Sequence, residues 1–347
     1  MIVGKDVLQM KDSKIVVGVI GAGRIGKLHI DNMKNMKNVR LKTVSDVFAD
    51  QLEEWFKSSG VENMTKDYHD IINDPEIDAI FICSPTDTHT SIIKEAAKSG
   101  KHVFCEKPIS FSDEETLEAY EVVKKTGVKF QIGFNRRYDR NFSKVRNLVE
   151  TKEIGDLHIL KITSRDPEPP SLDYVSRSGG IFVDMAIHDF DMARFITGSE
   201  VEEVFVQGAA LVNPKIAELG DIDTAIISVK FANGAIGVID NSRQAVYGYD
   251  QRLEAFGSNG SAIANNETES RVEVLSKEGV IGDNPLHFFL ERYNDAYIRE
   301  VKEFFEAIES DTEVPCNFVD GIMAQRIAMA AKKSLETGQP VKVEKLS

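Results

Sequence analysis

The sequence of 347 residues is poor in cysteine, with only Cys83, Cys105 and Cys316. An odd number of cysteines without metal-ligand spacing argues against a disulfide-stapled scaffold and against a cysteine-based zinc site. Two of the three lie in apolar, strand-like runs. We therefore expect buried free thiols in a reducing compartment, and a cytoplasmic protein.

Basic residues and long apolar runs are also scarce. The chain has 42 Lys and Arg against 56 Asp and Glu, a formal net charge of −14, which disfavours nucleic acid and anionic membranes as partners. No stretch is apolar for the roughly 20 residues that a membrane-spanning helix needs. Residues 1–12 carry Lys5, Asp6, Lys11 and Asp12, so we expect neither a signal peptide nor an anchor there.

The content of hydrophobic residues, 42%, and the length are sufficient for two domains. From Lys14 to about Phe134, short apolar strands alternate with helical periodicity, which predicts a Rossmann-type, doubly wound parallel sheet with helices on both faces. Beyond Asn135, alternating polarity and hairpin turns predict an α+β domain with a mostly antiparallel open sheet, closed by helices near 291–308 and 319–335. The predicted domains are 1–135 and 136–347, and we expect oligomerisation to cover the open sheet face.

A glycine-rich turn joins the first predicted strand, 14–20, to a helix over 27–33. Its sequence is Gly21-Ala22-Gly23-Arg24-Ile25-Gly26. In such a turn the first glycine permits the tight bend, the second lets a pyrophosphate approach, and the third lets the helix pack closely on the strand. The helix N-terminus offers free N–H groups to the anion. We therefore predict a dinucleotide site that includes Gly21, Gly23, Arg24 and Ile25, the alternative being a tight turn without a ligand.

The second predicted strand, 39–45, ends in Asp46, about 20 residues past the last glycine. A carboxylate at this place can accept hydrogen bonds from the adenosine ribose, and it would repel a 2′-phosphate. Val47 and Phe48 bring no arginine to offset that repulsion. The predicted cofactor is therefore NAD rather than NADP.

Polar residues follow two further predicted strands, at the sheet edge where dinucleotides bind. Ser84, Pro85 and His89 follow the strand 78–83, and Glu106-Lys107-Pro108 follows the strand 102–105. We predict that Ser84, Pro85, His89 and Glu106 line the cofactor site. Lys107 alone would be read as a surface lysine, but Pro108 fixes the backbone after it and could support a cis bond that aims its side chain.

Carboxylates and a histidine recur in the segment 179–191, which begins with Gly179-Gly180. If the segment is one helix, Asp184, His188 and Asp191 project from the same face. A carboxylate beside a histidine can stabilise an imidazolium, as a general base for hydroxyl deprotonation requires. The alternatives are an ordinary surface pair or a metal site, but no cysteine or further histidine cluster joins them, so we predict no metal.

Together these blocks resemble the Gfo/Idh/MocA oxidoreductases, from Lys14 to about Leu335. The resemblance comes from the glycine turn, from Glu106-Lys107-Pro108 and from the Asp184/His188 pair. It narrows to the inositol dehydrogenases of that family through 163–167, 178–180, 187–194, 240–244 with 247–249, and 289–293. It implies a homo-oligomer, often a tetramer, in which Lys107, Asp184 and His188 act as the catalytic trio and Arg136, Asp191 and Tyr247 lie near a polyol.

The activity that this resemblance implies is the NAD-dependent oxidation of one secondary hydroxyl of myo-inositol to the ketone. His188 takes the hydroxyl proton, Asp184 orients and supports the imidazolium, and Lys107 hydrogen-bonds the reacting oxygen. One alternative is a dehydrogenase for another polyol or pyranose, such as scyllo-inositol, D-chiro-inositol or a glucose-like sugar. A second is a sensing protein that binds sugar and nucleotide without turnover, against which the presence of both Lys107 and His188 argues.

Overall fold

The computed structural model describes residues 14–346. The expectation for residues 1–12, neither signal peptide nor anchor, lies outside this range. Between 14 and 346 no helix has both the length and the apolar character that crossing a membrane requires.

Residues 15–133 alternate strands and helices, as the apolar periodicity predicts. The strands are β1 (Ile15–Ile20), β2 (Val39–Ser45), β3 (Asn63–Thr65), β4 (Ala79–Ile82), β5 (His102–Glu106) and β6 (Phe130–Gly133). The helices are α1 (Arg24–Met33), α2 (Glu53–Ser59), α3 (His69–Ile72), α4 (His89–Lys98) and α5 (Asp113–Thr126). Ser112 caps α5 by accepting the Glu115 N–H at 3.3 Å, which is the first half of the capping box that the Ser112/Glu115 spacing predicts.

These strands form one parallel sheet in the order β3-β2-β1-β4-β5-β6, so the predicted doubly wound sheet is confirmed. All four residues of β4 and of β6 are buried, as expected where helices cover both faces of a parallel sheet. The strand order reverses direction between β1 and β4. In such sheets, ligands bind outside the carboxyl ends of the strands at that switch point.

The rest of the chain forms a second sheet with helices on one side. Its helices are α6 (Arg140–Glu150), α7 (Leu172–Val175), α8 (Ile181–Asp184), α9 (Ile187–Thr197), α10 (Pro214–Glu218), α11 (Phe289–Arg292), α12 (Asn294–Glu309) and α13 (Phe318–Thr337). Its strands are β7 (Leu157–Arg165), β8 (Val201–Ala209), β9 (Thr224–Phe231), β10 (Ile236–Ser242), β11 (Asp250–Gly257), β12 (Gly260–Ala264), β13 (Glu273–Ser276), β14 (Gly279–Gly282) and β15 (Val341–Lys342).

Seven of these strands pair in the order β12-β11-β7-β10-β9-β8-β15. Every pairing is antiparallel except that of β7 with β10, so the prediction of a mostly antiparallel sheet is confirmed. Helices α9 and α13 pack on one face. The opposite face exposes apolar side chains, among them Ile226 (44%), Ile236 (54%) and Ile263 (60%). The strands β13 and β14 form a separate exposed hairpin that the sequence analysis did not predict.

Helix α12 returns to the first sheet, although it lies in the segment predicted for the second domain. Its residues Val301, Phe304 and Phe305 share a buried cluster with Phe81 of β4 and Phe104 of β5. The ring centroids of Phe81 and Phe304 are 5.8 Å apart, and those of Phe104 and Phe304 are 5.9 Å apart. The first sheet is therefore covered in part by residues from near the end of the chain.

Candidate active site

The glycine turn has the geometry that a dinucleotide site requires. Gly21 has φ +95°, and a Cβ there would lie 2.7 Å from the Cys83 carbonyl carbon. A Cβ on Gly26 would overlap the carbonyl oxygen of Gly21, whereas a Cβ on Gly23 would meet nothing within 4 Å. Close packing therefore requires glycine at positions 21 and 26, and the space beside Gly23 is open to a ligand.

Helix α1 begins at Arg24 without a capping side chain and without an acidic residue in its first turn. Its first N–H groups are thus available to an anion, which the positive end of the helix dipole favours. Arg24 is exposed and Ile25 is half-buried at this end. The residues present fit a dinucleotide pyrophosphate.

Asp46 lies directly beside the glycine turn. Its carboxylate accepts the Ala22 N–H at 2.8 Å through Oδ2 and the Phe48 N–H at 2.8 Å through Oδ1. A carboxylate has about four lone-pair positions, so acceptor capacity for ribose hydroxyls remains. The structure therefore brings the predicted ribose ligand next to the predicted pyrophosphate site.

His89 joins the loops that follow β4 and β5. Its Nε2 lies 2.8 Å from the Ser84 carbonyl oxygen, and its Nδ1 lies 2.8 Å from the Pro108 carbonyl oxygen. The residue is 1% exposed, and burial lowers the pKa of its ring although both carbonyls favour the charged form. The ring fixes the spacing of the two loops, and direct contact of His89 with a cofactor stays a prediction.

Ser84 and Pro85 form the turn after β4, with the Ser84 and Thr88 hydroxyl oxygens 2.6 Å apart. Glu106, at the end of β5, pairs through Oε1 with Nε2 of His29 at 2.7 Å. His29 is buried in α1 and is not among the predicted site residues. The sequence signal that could have identified His29 is its position three residues after Gly26, on the helix face that packs on the sheet.

Lys107 points from the end of β5 toward the segment around Asp184. Its Nζ donates to the Asp184 carbonyl oxygen at 2.7 Å and lies 3.7 Å from Asp184 Oδ1. The peptide bond between Lys107 and Pro108 is cis. The structure thus brings two of the three catalytic candidates into contact, chiefly through the backbone carbonyl of Asp184.

The carboxylate of Asp184 is held by two residues that the sequence analysis did not single out for the site. Tyr174 of α7 donates its hydroxyl to Oδ1 at 2.8 Å, and Arg243 donates from Nη1 to Oδ2 at 2.8 Å. Burial favours the neutral acid, but Lys107 and Arg243 hold the pKa of Asp184 below its usual range. Asp184 is therefore ionised near neutral pH.

The prediction that Asp184, His188 and Asp191 share one face of a single helix is wrong. The segment forms two helices, α8 and α9, which Met185 and Ala186 separate. The Ala186 N–H donates to the Ile181 carbonyl oxygen at 2.9 Å, five residues back, so the regular ladder is interrupted there. The period of 3.6 residues per helical turn therefore does not relate the direction of Asp184 to those of His188 and Asp191.

His188 is nevertheless a candidate base. Its Nδ1 is buried and has no hydrogen-bond partner within residues 14–346, and its ring lies 5.9 Å from that of Phe134. Burial, helped by the charges of Lys107 and Arg136, lowers the pKa of His188 well below 6.5. The imidazole is therefore neutral near pH 7, as a proton acceptor must be. The expected contact between His188 and Asp184 is not among the hydrogen bonds of the described residues.

Arg136 lies in a second buried cluster. It donates to Asp189 Oδ1 at 2.6 Å and lies 3.4 Å from both the Ser164 hydroxyl and the Tyr249 hydroxyl. Asn241 donates to the other Asp189 oxygen at 2.8 Å. The predicted substrate residue Arg136 is thus tied to a buried carboxylate, which leaves its contact with a polyol a prediction.

Asp191 and Tyr247 lie in separate surroundings. Both oxygens of Asp191 accept from Arg137, at 2.6 and 2.8 Å, in a buried ion pair that also involves Asp320 of α13. No hydrogen bond of the described residues joins Asp191 to Lys107. Tyr247 is 39% exposed, donates to Asp250 Oδ2 at 2.6 Å and accepts from Arg165 at 3.1 Å.

Two family models match this chain, one for each of its two main sheets. Residues 15–134 match the oxidoreductase family with an NAD-binding Rossmann fold, and residues 142–263 match the GFO/IDH/MocA C-terminal domain. The chain is 58% identical over 331 residues to the uncharacterized oxidoreductase YrbE of Bacillus subtilis, covering 95% of this chain and 97% of that protein.

Two further relatives have more specific names. Myo-inositol 2-dehydrogenase of Thermotoga maritima is 50% identical over 330 residues, covering 95% of this chain and 99% of that protein. The crystal structure of scyllo-inositol dehydrogenase from Lactobacillus casei with bound NAD(H) and scyllo-inositol is 30% identical, covers 95% of this chain and 99% of that one, and superposes with a TM-score of 0.89.

Proposed function

The chain belongs to the Gfo/Idh/MocA oxidoreductases, and from that membership we propose that it oxidises one secondary hydroxyl of myo-inositol to give 2-keto-myo-inositol. It is an enzyme with an NAD-binding Rossmann domain, and its cofactor is NAD. The observation that carries the proposal is the meeting of Lys107 and Asp184 at the carboxyl edge of the first sheet, beside the strands that hold the glycine turn. The relative named as a myo-inositol 2-dehydrogenase, at 50% identity, supports the substrate.

The residues that would hold NAD are those around the glycine turn. Gly23 leaves space for the pyrophosphate, the free N–H groups at the start of α1 bind it, and Asp46 accepts from the ribose. Bound NAD supplies the acceptor for the hydride from the carbinol carbon. The chain itself supplies orientation and proton transfer.

Lys107, Asp184 and His188 are proposed to act on the substrate hydroxyl. The neutral imidazole of His188 accepts the hydroxyl proton, and the ammonium of Lys107 donates a hydrogen bond to the oxygen that becomes the carbonyl. Asp184 positions Lys107 through its carbonyl oxygen, while its ionised carboxylate balances the positive charges of Lys107 and Arg243. Arg136, Asp191 and Tyr247 are proposed near the polyol, with Asp191 held by its ion pair with Arg137.

We also propose a homo-oligomer, a tetramer, assembled through the open face of the seven-stranded sheet. Large apolar side chains such as Ile236 and Ile263 are exposed there, and a face of this kind is stabilised when another subunit covers it. A cytoplasmic location is proposed from the three unpaired cysteines. Light scattering after gel filtration measures the subunit number.

The decisive experiment is a polyol screen. The purified protein is mixed with NAD and with myo-inositol, scyllo-inositol, D-chiro-inositol or glucose, and NADH is followed by absorbance. The proposal expects the highest kcat/KM with myo-inositol. A protein that reduces NAD with none of these alcohols, although it binds NAD, would instead fit a sensing role.

A further inference from the structure

Asp166 has charged neighbours in both buried groups of the site, Arg243 and Asp184 in one and Arg136 and Asp189 in the other. Its N–H donates to the Ser242 carbonyl oxygen at 2.9 Å, and its carbonyl oxygen accepts the Ala245 N–H at 2.6 Å. The backbone is thus fixed on both sides. The side chain keeps 19% of its surface exposed, so a ligand can reach it.

The carboxylate of Asp166 has unused acceptor capacity. The nearest cation is Arg243, whose Nη1 lies 3.7 Å from Oδ2, beyond hydrogen-bond distance. That same Nη1 donates to Asp184 at 2.8 Å. Within the described part of the chain, no hydrogen bond reaches the carboxylate oxygens of Asp166. The two neighbouring carboxylates differ in this respect, since Asp184 and Asp189 each accept on both oxygens.

A polyol presents several hydroxyl donors. A site that binds a polyol therefore needs acceptor atoms that no other group of the protein already hydrogen-bonds. A partly buried carboxylate left without a donor is unfavourable, and a ligand hydroxyl removes that penalty. Arg243 contributes positive charge without occupying the Asp166 oxygens. On this ground we propose that Asp166 is a substrate-binding residue, whose ionised carboxylate accepts a hydrogen bond from a hydroxyl of the polyol. This inference rests on the proposed function.

The surroundings of Asp166 give the interaction a definite pH dependence. Burial raises the pKa of Asp166 to about 6, which Arg243 and Arg136 oppose and Asp184 and Asp189 reinforce. The hydroxyls of Tyr174 and Tyr249 also face this group. Above pH 6 the ionised acid accepts a charge-assisted hydrogen bond, and below pH 6 that bond is lost. Burial and the charges of Lys107 and Arg136 lower the pKa of His188, so the comparison of wild type with an Asp166 variant isolates the contribution of Asp166 to the acid limb.

The test is Asp166→Asn, which keeps the shape of the side chain and removes its charge. The expected result is a rise of about 10–100-fold in KM for myo-inositol, the range for a lost hydrogen bond to a charged group. We expect kcat to stay within a few-fold, NAD affinity to be unchanged, and the decline of kcat/KM near pH 6 to disappear. Glu168→Gln, which removes an exposed carboxylate two residues away, is the matched control and should behave as wild type.

Unchanged KM and an unchanged acid limb in Asp166→Asn would overturn the inference, while leaving the proposed function intact. Titration of myo-inositol into the protein–NADH complex, followed by NADH fluorescence, separates the two proposals. If the wild type oxidises no polyol, the proposed function fails. Weaker binding of myo-inositol to the variant complex than to the wild-type complex would still support the role of Asp166, and equal binding or no binding would reject it.

Discussion

Replacement of Asp46 by serine together with Val47 by arginine is expected to move the cofactor preference from NAD toward NADP. Asp46 is half-buried beside the glycine turn, where a carboxylate repels a 2′-phosphate. Two unit charges 4 Å apart interact by about 1 kcal/mol in water and about 4 kcal/mol at the effective dielectric constant of a protein surface. Val47 is 72% exposed, so an arginine side chain there can reach the added phosphate.

The loss for NAD comes from the ribose hydrogen bond. A hydrogen bond to a charged group contributes about 1.5–3 kcal/mol. The lost hydrogen bond and the removed repulsion together change the free-energy difference between the two cofactors by about 2.5–7 kcal/mol. The ratio of kcat/KM for NAD to that for NADP should therefore fall by about 10²–10⁵-fold. The assay follows reduced cofactor at saturating myo-inositol, with each cofactor varied in turn.

The single variant Asp46→Asn is the control for the charge. It keeps the shape of Asp46 and one acceptor for the Ala22 and Phe48 N–H groups, so it separates loss of charge from loosening of the turn. A double variant that keeps the wild-type cofactor ratio within a few-fold would refute the role of Asp46 in cofactor preference. A wild type that already prefers NADP would refute it as well.

Four further results are expected. Lys107→Met should lower kcat by about 10²–10⁴-fold with NAD affinity unchanged by isothermal titration, whereas weakened NAD binding with near-normal kcat would make Lys107 a cofactor ligand. His188→Gln should lower kcat by a similar factor. Its urea midpoint should also fall less between pH 7.5 and pH 5 than that of the wild type. The reason is that burial lowers the pKa of His188 in the folded state, so the unfolded wild type takes up a proton near pH 6.5 before the folded protein does. Gly26→Ala should cost about 1–3 kcal/mol through overlap in the glycine turn and weaken NAD binding, whereas Gly260→Ala, where an added Cβ meets open space, should do neither. Ile236→Lys should shift the light-scattering mass toward the monomer, and an unchanged mass would remove the sheet face from the interface.

The parts of the site that the sequence predicts are those built from contiguous residues. The glycine turn, with its strand and helix, is specified by local backbone requirements at Gly21 and Gly26. Asp46 and Lys107 follow from their places at strand ends, because parallel strands bring those ends to one edge. Local patterns and sheet topology are therefore sufficient to locate the cofactor edge.

The sequence cannot predict which distant side chains pair inside the site. Arg243 reaches Asp184 across 59 residues of sequence, and Arg137 reaches Asp191 across 54. Which of two neighbouring arginines turns toward which aspartate depends on packing in three dimensions. The sequence also does not predict the interruption at Met185. Because α8 ends before it and α9 begins after it, a single helical period does not describe where Asp191 lies relative to Asp184.

The return of α12 to the first sheet has a consequence for synthesis of the chain on the ribosome. Phe81 and Phe104 emerge about two hundred residues before Phe304 and Phe305, which cover them, and domains otherwise fold as they emerge. The nucleotide-binding half therefore keeps an uncovered apolar surface until α12 has emerged. A nascent chain that pauses before Val301 leaves this surface exposed, so the nucleotide-binding fold is completed only after the second sheet has been synthesised.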